Sequence, residues 1–454
     1  MAWQLILRLG DTSASDVVLT SGACFVTDYA LSTPAVDQQA IANMGDGQNL
    51  TVPTFANVSE SVSLHIADAT PTLVRDIVRR IERLLDLARQ GSLGSVGDKV
   101  YLVIRFDQDT EWWRSQILAA QWVGSETVER IHKNYTTGTI ALTRRYYWET
   151  EALIPVAVSS GPTPVATTGY ATVYNADDTH ATNRNWWQID AAQVVGSLPA
   201  PALIRIKNTS GADRAATSIF LGNYVFCDPT NVDPIYRAED ASSAFTNVTT
   251  TESDIYKWSL TSTGLVDDFR GQYGRFVAVW TNLPLATTLV RPAIRYSTIF
   301  DLALGEQSLG DIYKIVQDLG ALPIPPSGWS SGMGSGMQLA ISGKTATGTD
   351  TVALDWLQIF PSGQGRYRAL HAPTTLSIIS TNEIVDDGPG GVVYIMDVVG
   401  GNAKVPLYRP MFDPIHLWPG LTQRLRLLIS GGTTMEAGQA WGVSVSYRAR
   451  RLTL

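Results

Sequence analysis

Only two cysteines, Cys24 and Cys227, occur in the 454 residues. They lie far apart in the chain, which supports neither a disulfide framework nor a cysteine metal site, and folding in a reducing cytoplasm is the simpler expectation. Histidine is scarce as well. His65, His132, His180, His371 and His416 are scattered without ligand spacing, and no His-Glu-x-x-His motif joins them, so zinc chemistry is not expected. The chain is also read as carrying neither a serine-hydrolase elbow nor a phosphate loop. No metal and no cofactor are therefore expected.

Charge is sparse too. Charged residues make up 17% of the chain and the formal net charge is −8, with an isoelectric point near 5.2. Gripping a phosphate backbone takes clustered Lys and Arg, so specific nucleic-acid binding is not expected. The mild acidity is what many soluble proteins carry and selects no partner. No window reaches the ~20 consecutive apolar residues of a membrane-spanning helix. The N-terminal run Trp3-Gln4-Leu5-Ile6-Leu7-Arg8-Leu9 alternates apolar and polar residues, unlike a signal peptide. Membrane insertion is not expected, and release from a cell would be by lysis or within a particle.

What the chain does have is sheet-forming composition: 44% hydrophobic residues, 38 Gly and 22 Pro, together with many Thr and Ser, which suits strands joined by tight turns. Its length exceeds a single hydrophobic core, so roughly two to four domains are expected. Residues up to about 66 read as short strands, with alternation over 61–66. One helix stands out at about 71–90. Thr70 can cap it, Pro71 takes the first helical position, Leu73, Ile77, Ile81, Leu84 and Ala88 mark an apolar face, and Gly91 ends it. Arg75, Arg79 and Arg83 with Asp76, Glu82 and Asp86 form a solvated face. Strands follow at 99–106, 111–118 and 138–149. Strands, one helix and strands predict an α+β unit in which the helix covers a strongly bent sheet or small barrel.

The order of helix, Val-Tyr-Leu strand, Trp-Arg-Ser strand and the closing run Thr143-Arg144-Arg145-Tyr146-Tyr147-Trp148-Glu149 resembles the N-terminal domain of distal tail proteins of long-tailed bacteriophages. The resemblance covers about the first 150 residues. It implies a tail-tube-like fold that stacks as a hexameric ring at the end of the tube. Residues 1–155 are then the ring-forming domain and 156–168 a Pro- and Ser-rich linker.

Beyond the linker, 169–235 reads as the first part of a C-terminal β-sandwich and 371–454 as its closing part. The Leu417-Trp418-Pro419-Gly420 turn and the strand Val443-Ser444-Val445-Ser446-Tyr447-Arg448 resemble the end of a distal tail protein. Between them, 236–370 opens on Arg237-Ala238-Glu239-Asp240-Ala241, includes Arg275-Phe276-Val277-Ala278-Val279-Trp280 and ends with the strand from Thr351 to Pro361. This order is similar to jelly-roll carbohydrate-binding modules, and the domain is either inserted or sequential. The overall expectation is a mainly β, multi-domain chain of antiparallel sheets.

Candidate chemistry is thin. Asp107, Asp109 and Glu111, and the pair Asp386 and Asp387, are the carboxylate clusters a glycosidase would need, but their composition is that of ordinary turns. The pairs Trp112-Trp113 and Trp186-Trp187 place neighbouring rings on opposite strand faces, predicting one buried and one exposed or at an interface. Trp186 with Asn185, and Trp329 on its Gly-rich loop, are candidate glycan contacts. Trp112, Arg144, Arg145 and Trp148 are candidate contacts between subunits, through ion pairs or cation–π stacking.

The expected role is a non-enzymatic virion component of the phage tail, made in the host cytoplasm. Its partners would be itself, the tail tube and the tip or hub proteins, and host-surface carbohydrate. A non-viral glycan-binding surface protein and a tail-tube subunit with decorative domains are the alternatives.

Overall fold

The structure, a computed structural model, describes residues 3–37, 40–42, 48–50, 54–91, 99–124, 134–157, 169–175, 184–209, 212–225, 235–241, 243–244, 247–259, 273–281, 287–296, 300–303, 307–308, 315–324, 337–374, 376–379, 381–397, 404–406, 408–431 and 440–454. Among these residues the chain forms many antiparallel strands and one α-helix, the mainly β class expected from the sequence. It divides into two compact units. The first holds Met1–Leu153, Gly196–Leu198 and Arg448–Leu454, and the second holds Ile154–Val195 and Pro199–Tyr447. The sequence had set the first domain at 1–155; the compact unit also takes in the last residues of the chain.

In the first unit, β1 (Trp3–Leu9), β2 (Val17–Val18), β3 (Cys24–Tyr29), β4 (Val58–Ala67), β5 (Val100–Phe106), β6 (Trp113–Gly124) and β7 (Tyr135–Arg144) make one antiparallel sheet in the order β2-β1-β5-β6-β7-β4-β3. A further strand, β8 (Trp148–Thr150), pairs with β6 and with the C-terminal strand Arg450–Arg451. The sheet bends because β6 serves two partners. Trp113–Gln116 pairs with β5, Ile117 onward pairs with β7, and the register slips between Ile117 and Ala119. Such a bulge sharpens local twist and curls a sheet.

Strict alternation in β4 puts Val58, Val62, Leu64 and Ile66 inside and Ser59 and Ser61 outside. The helix α1 (Pro71–Gly91) lies on the inner face: Val74, Ile81, Leu84, Leu85 and Ala88 share a core with Leu5, Leu102, Ile104, Ile140 and Leu142. Each such buried aliphatic side chain contributes about 2 kcal/mol. At the helix start Thr70 Oγ1 accepts the Leu73 N–H at 3.4 Å. The apolar face differs by one position from the sequence reading. Leu73 is 45% exposed and Val74 is buried in its place, because the stripe centred on Ile81 and Leu85 passes through Val74 and leaves Leu73 on its rim.

Among the described residues the second unit contains four larger sheets and two two-stranded ones. The first is built on β9 (Ala200–Asn208), β13 (Asn382–Asp387), β14 (Val392–Asp397) and β16 (Ala440–Tyr447). The second has Trp186–Ile189, β10 (Ser218–Tyr224), β12 (Tyr367–His371) and β15 (Gln423–Ser430). The third is built on Tyr273–Trp280, Val316–Pro323 and β11 (Leu354–Pro361), and the fourth on Ser253–Ser259, Thr288–Tyr296 and Met337–Thr345. Strands β10 and β12 are hydrogen-bonded neighbours, from Ser218 opposite His371 to Gly222 opposite Tyr367. The chain therefore leaves the second sheet after Tyr224, builds the third and fourth, and returns to it at Tyr367.

The second sheet is covered on both sides, and its side chains show how. Every residue of β10 is buried, although Phe220, Gly222 and Tyr224 point one way and Ile219, Leu221 and Asn223 the other. On one side Arg368 of β12 reaches Asp386 of β13 at 2.7 Å. On the other, Phe220, Tyr224, Ala369 and Leu428 share a core with Phe276, Leu357 and Phe360 of the third sheet. Gly222 makes that approach possible, since an added Cβ would overlap the Phe360 ring.

Two outcomes follow from this layering. Gly222→Ala should destabilise the second unit by about 1–3 kcal/mol through overpacking, seen as a lower urea midpoint; an unchanged midpoint would mean the layers part easily. Burial, outweighing the Arg368 charge, raises the Asp386 carboxyl from 3.8 to about 6. The folded state then holds this proton more tightly than the unfolded chain, so the contribution to stability is complete below pH ~4 and is lost as pH rises through ~6. Relative to Asp386→Asn, the wild type should lose on the order of 2–3 kcal/mol between pH 4 and pH 7, and parallel urea titrations of the two would show it.

Candidate assembly surface

The closing run of the first unit, singled out in the sequence as a source of subunit contacts, divides between interior and surface. Alternation in β7 turns Arg144 inward with Leu142 and Ile140. There it meets Glu60 of β4 in a two-pronged ion pair, Nε to Oε2 at 3.1 Å and Nη2 to Oε1 at 2.7 Å, with both side chains fully buried. The remaining bonds are satisfied locally. Arg144 Nη1 donates to the Arg145 carbonyl and Nη2 to the Ser32 carbonyl, while Glu60 accepts from the Tyr29 hydroxyl at 3.0 Å and the Ser32 N–H at 2.9 Å. Burial, and then the Glu60 carboxylate, push the Tyr29 phenol above its usual range, which keeps it a donor. The Arg144 guanidinium also lies 4.4 Å above the buried Trp148 ring. Arg144 and Trp148 thus serve the interior of the unit, because alternation carries them to the core side of the sheet.

Arg145 and Trp112 lie nearer the surface. Arg145 is half-buried, donating to Gln116 Oε1 at 2.8 Å. Trp112 is also half-buried, with Arg105 stacked 4.5 Å over its ring, whereas Trp113 is in the core.

A second charged network ties the C-terminal residues into the same unit. Arg8 pairs with Asp16 at 2.6 Å and with Glu151; Arg114 pairs with Glu149 at 3.1 Å and with Asp11. Arg448 lies 3.7 Å from Asp11, and Arg450 lies 3.6 Å from Glu149. These four arginines and four carboxylates balance in charge, and Arg8, Asp11, Glu151 and Arg448 among them border a cavity of about 480 Å³ beside Trp112. Sequence reasoning did not find Glu60, Asp11 or Arg114 as partners, since each pair joins distant segments.

The outer face of the same sheet has a different character. Ser59, Ser61, Ser63 and His65 of β4 stand beside Thr143, Ala141, Thr139 and Thr137 of β7, with Ala119, Gln121 and Val123 of β6 opposite Thr143, Ala141 and Thr139. None of these side chains is Asp, Glu, Lys or Arg. Hydroxyls pair across the strands, Ser59 with Thr143 and Ser63 with Thr139, each at 3.3 Å. Phe25, Val123 and Tyr135 are large apolar side chains left exposed there, with Tyr135 stacked on His65. The alternation of 61–66 already held part of this face in the sequence.

The glycan candidates lie in the second unit. Asn185 is fully buried, donating to Gln358 Oε1 at 2.9 Å and accepting from Arg426 at 2.8 Å. Trp186 is 8% exposed and has Arg184 and Arg424 over its ring at 4.8 and 4.0 Å. Trp187 is buried as well, so the expectation of one exposed ring in this pair is corrected: the strand lies in a sheet covered on both faces. Trp329, most of the 156–168 segment, His132, His180 and Cys227 lie outside the described residues.

Among the described residues no group of His, Cys, Asp or Glu converges to hold a metal ion. Of the two carboxylate clusters, Asp386 is taken up by Arg368, and Asp387 accepts the Gly390 N–H at 2.8 Å within its turn. Two short matches qualify the reading of the sequence as free of hydrolase and phosphate-loop signatures. Gly328-Trp329-Ser330-Ser331-Gly332 has elbow spacing but lies outside the described residues, and Gly343-Lys344-Thr345 ends a strand without the preceding glycine a phosphate loop needs.

No protein-family model and no curated protein matches the chain. Among solved structures the chain is similar to the SPP1 Dit protein, described as a paradigm of the hub adsorption apparatus in phages infecting Gram-positive bacteria. The identity is 8%, 98% of each chain is covered, and the TM-score is 0.35. It is also similar to the phage P2 baseplate in its activated conformation with Ca, at 8% identity, 80% of this chain and 99% of that chain, and a TM-score of 0.28. The same baseplate with Sr gives 9% identity, the same coverage and a TM-score of 0.29.

Truncating either member of the Glu60–Arg144 pair strands the other charge in the core. Glu60→Leu or Arg144→Met should each cost about 3–5 kcal/mol, and the double variant much less than the sum. Urea unfolding of the three variants measures this, and additive losses would show that the two side chains are not coupled.

Proposed function

We propose that this chain is a structural component of a bacteriophage tail, placed at the distal tail or baseplate, whose first unit self-associates into a ring joining the tail tube to the tip. The observation that carries the reading is the stretch of the sheet's outer face on β4, β6 and β7 that bears no Asp, Glu, Lys or Arg, with Asp28 of β3 at its edge opposite Ser63. The centres of protein interfaces are depleted in charge and hold exposed aromatic side chains, as this face does with Phe25 and Tyr135. Hydroxyl groups both donate and accept, so a face of Ser and Thr is compatible with many partner surfaces, including that of another copy. Three strands about 4.8 Å apart and roughly nine residues long present on the order of 400 Å². That is about half of one partner's share of a standard interface, which suits one contact among several around a ring.

The sequence resemblance supports the same reading. Its closing run, from Thr143 to Glu149, forms the inner seal of this unit, with Arg144 on Glu60 and under it Trp148. The role is geometric rather than catalytic. The second unit would carry the remaining contacts, to neighbouring tail proteins and to host-surface carbohydrate.

Light scattering and negative-stain imaging of the full chain test the assembly. The expected particle is a ring with six times the mass of the 49.3 kDa chain. Ser63→Lys and Thr139→Asp each place a charge on the neutral face without touching the core and should abolish the ring while leaving the unfolding midpoint unchanged. Rings that survive both substitutions would move the interface elsewhere, and a monomer at every concentration would count against self-assembly.

A further inference from the structure

We propose that a pocket beside Phe412 in the second unit binds a neutral pyranose sugar, with one face of the sugar ring packed on the Phe412 side chain. Phe412 has a backbone φ of +69°, the only positive value at a non-glycine among the described residues. A bulky aromatic residue in this region is a genuine outlier and costs on the order of 1–2 kcal/mol. The surroundings hold it there. The Phe412 carbonyl accepts from Arg368 Nη1 at 2.9 Å, and Arg368 is itself fixed by Asp386. The Tyr367 ring lies 5.3 Å from the Phe412 ring at 60°, and Arg275 lies 4.4 Å from its centroid.

For all this anchoring the Phe412 ring is not buried. It remains 48% exposed. A strained backbone that presents an aromatic ring to solvent, rather than to a core, points to a ligand. Two more large apolar side chains are exposed close by. Met411 precedes it in the chain, and Tyr273 accepts through its carbonyl the N–H of Ser362 on the pocket wall.

The pocket, about 340 Å³, is lined by Ser362, Gly363, Gln364, Tyr367, Phe412 and Asp413, and its size falls at the small end of ligand sites. Its chemistry selects among ligand classes. A hydroxyl, an amide and a carboxylate supply donors and acceptors for neighbouring sugar hydroxyls, while the aromatic ring offers an apolar platform for the C–H face. Arg275 is not available for an anion, because Asp318 holds it at 2.6 Å and also accepts from the Tyr367 hydroxyl at 3.0 Å. Asp413 then leaves the lining with a negative charge, which disfavours phosphate and carboxylate ligands. A basic ligand would meet Asp413 but would share the Phe412 ring with the Arg275 cation. A neutral, hydroxyl-rich ring meets neither obstacle.

This inference does not rest on ring assembly, since the full chain can be tested for sugar binding whatever its oligomeric state. Saturation-transfer NMR and calorimetry of the full chain with glucose, galactose, rhamnose and N-acetylglucosamine, and with trilysine as a basic probe, give the readout. At least one sugar should bind, with a dissociation constant on the order of 1 mM. Phe412→Gly should weaken it roughly tenfold or more while leaving the thermal midpoint unchanged or higher, because glycine relieves the positive φ. Gln364→Ala should weaken it without any change in the midpoint. No binding of any of the sugars, or binding that both substitutions leave intact, overturns the proposal. Binding of trilysine alone, lost in Asp413→Asn, also overturns it and assigns the pocket to a basic side chain of a protein partner.

Discussion

The buried Glu60–Arg144 ion pair is the constraint on which the first unit depends. It joins β4 to β7, the strands that carry the neutral outer face, and it recruits Tyr29 of β3 and the Ser32 backbone beyond it. Desolvating two charges is costly, and the attraction between them offsets that cost only when the geometry is good and the remaining lone pairs and N–H groups are bonded. Here they are. Such a pair adds little net stability over a well-packed apolar one, but it penalises any register shift of β4 against β7, since a one-residue slip of either strand would turn its charge outward and leave the other buried without its partner. Inner charge and outer neutrality are thus two results of one alternation.

The second unit is governed by layering instead. Its second sheet lies between two others and is buried on both faces, so its strands lack a polar side. Arginines on that sheet are accommodated by buried partners, Arg368 by Asp386 of the first sheet and Arg426 by Asn185 beside it on the same sheet. The close approach of the third sheet needs Gly222 opposite Phe360. The arrangement around Phe412 grows out of the same contacts, because Arg368 both bridges to Asp386 and holds the Phe412 carbonyl.

The sequence made the class legible because the first unit obeys local rules. The stripe from Ile77 to Ala88 announces a helix, and the alternation from Ser61 to Ile66 announces a half-exposed strand. Local rules misled in the middle layer. Trp186 and Trp187 point opposite ways, as neighbours on a strand must, yet both are buried because both sides are covered, which no local pattern reports. The role of Arg144 was unreadable for a related reason: its position on the inner face follows from the strand, but its partner Glu60 lies across a long stretch of chain. Phe412 carried no signal at all, since its backbone conformation is imposed by contacts with Arg275, Tyr367 and Arg368 from elsewhere in the chain.

The pairing of β8 with Arg450–Arg451, and the hold of Asp11 and Glu149 on Arg448 and Arg450, set an order of events during synthesis. Domains commonly fold as they emerge, N-terminal first. Here the first unit lacks its closing strand until the ribosome has passed residue 451, after the whole second unit has been made. Until then β8 has an open edge and Asp11 and Glu149 lack two of their cations. A chain cut short anywhere in the second unit would leave the first unit unfinished, so closure of the first unit requires that the second has already been made.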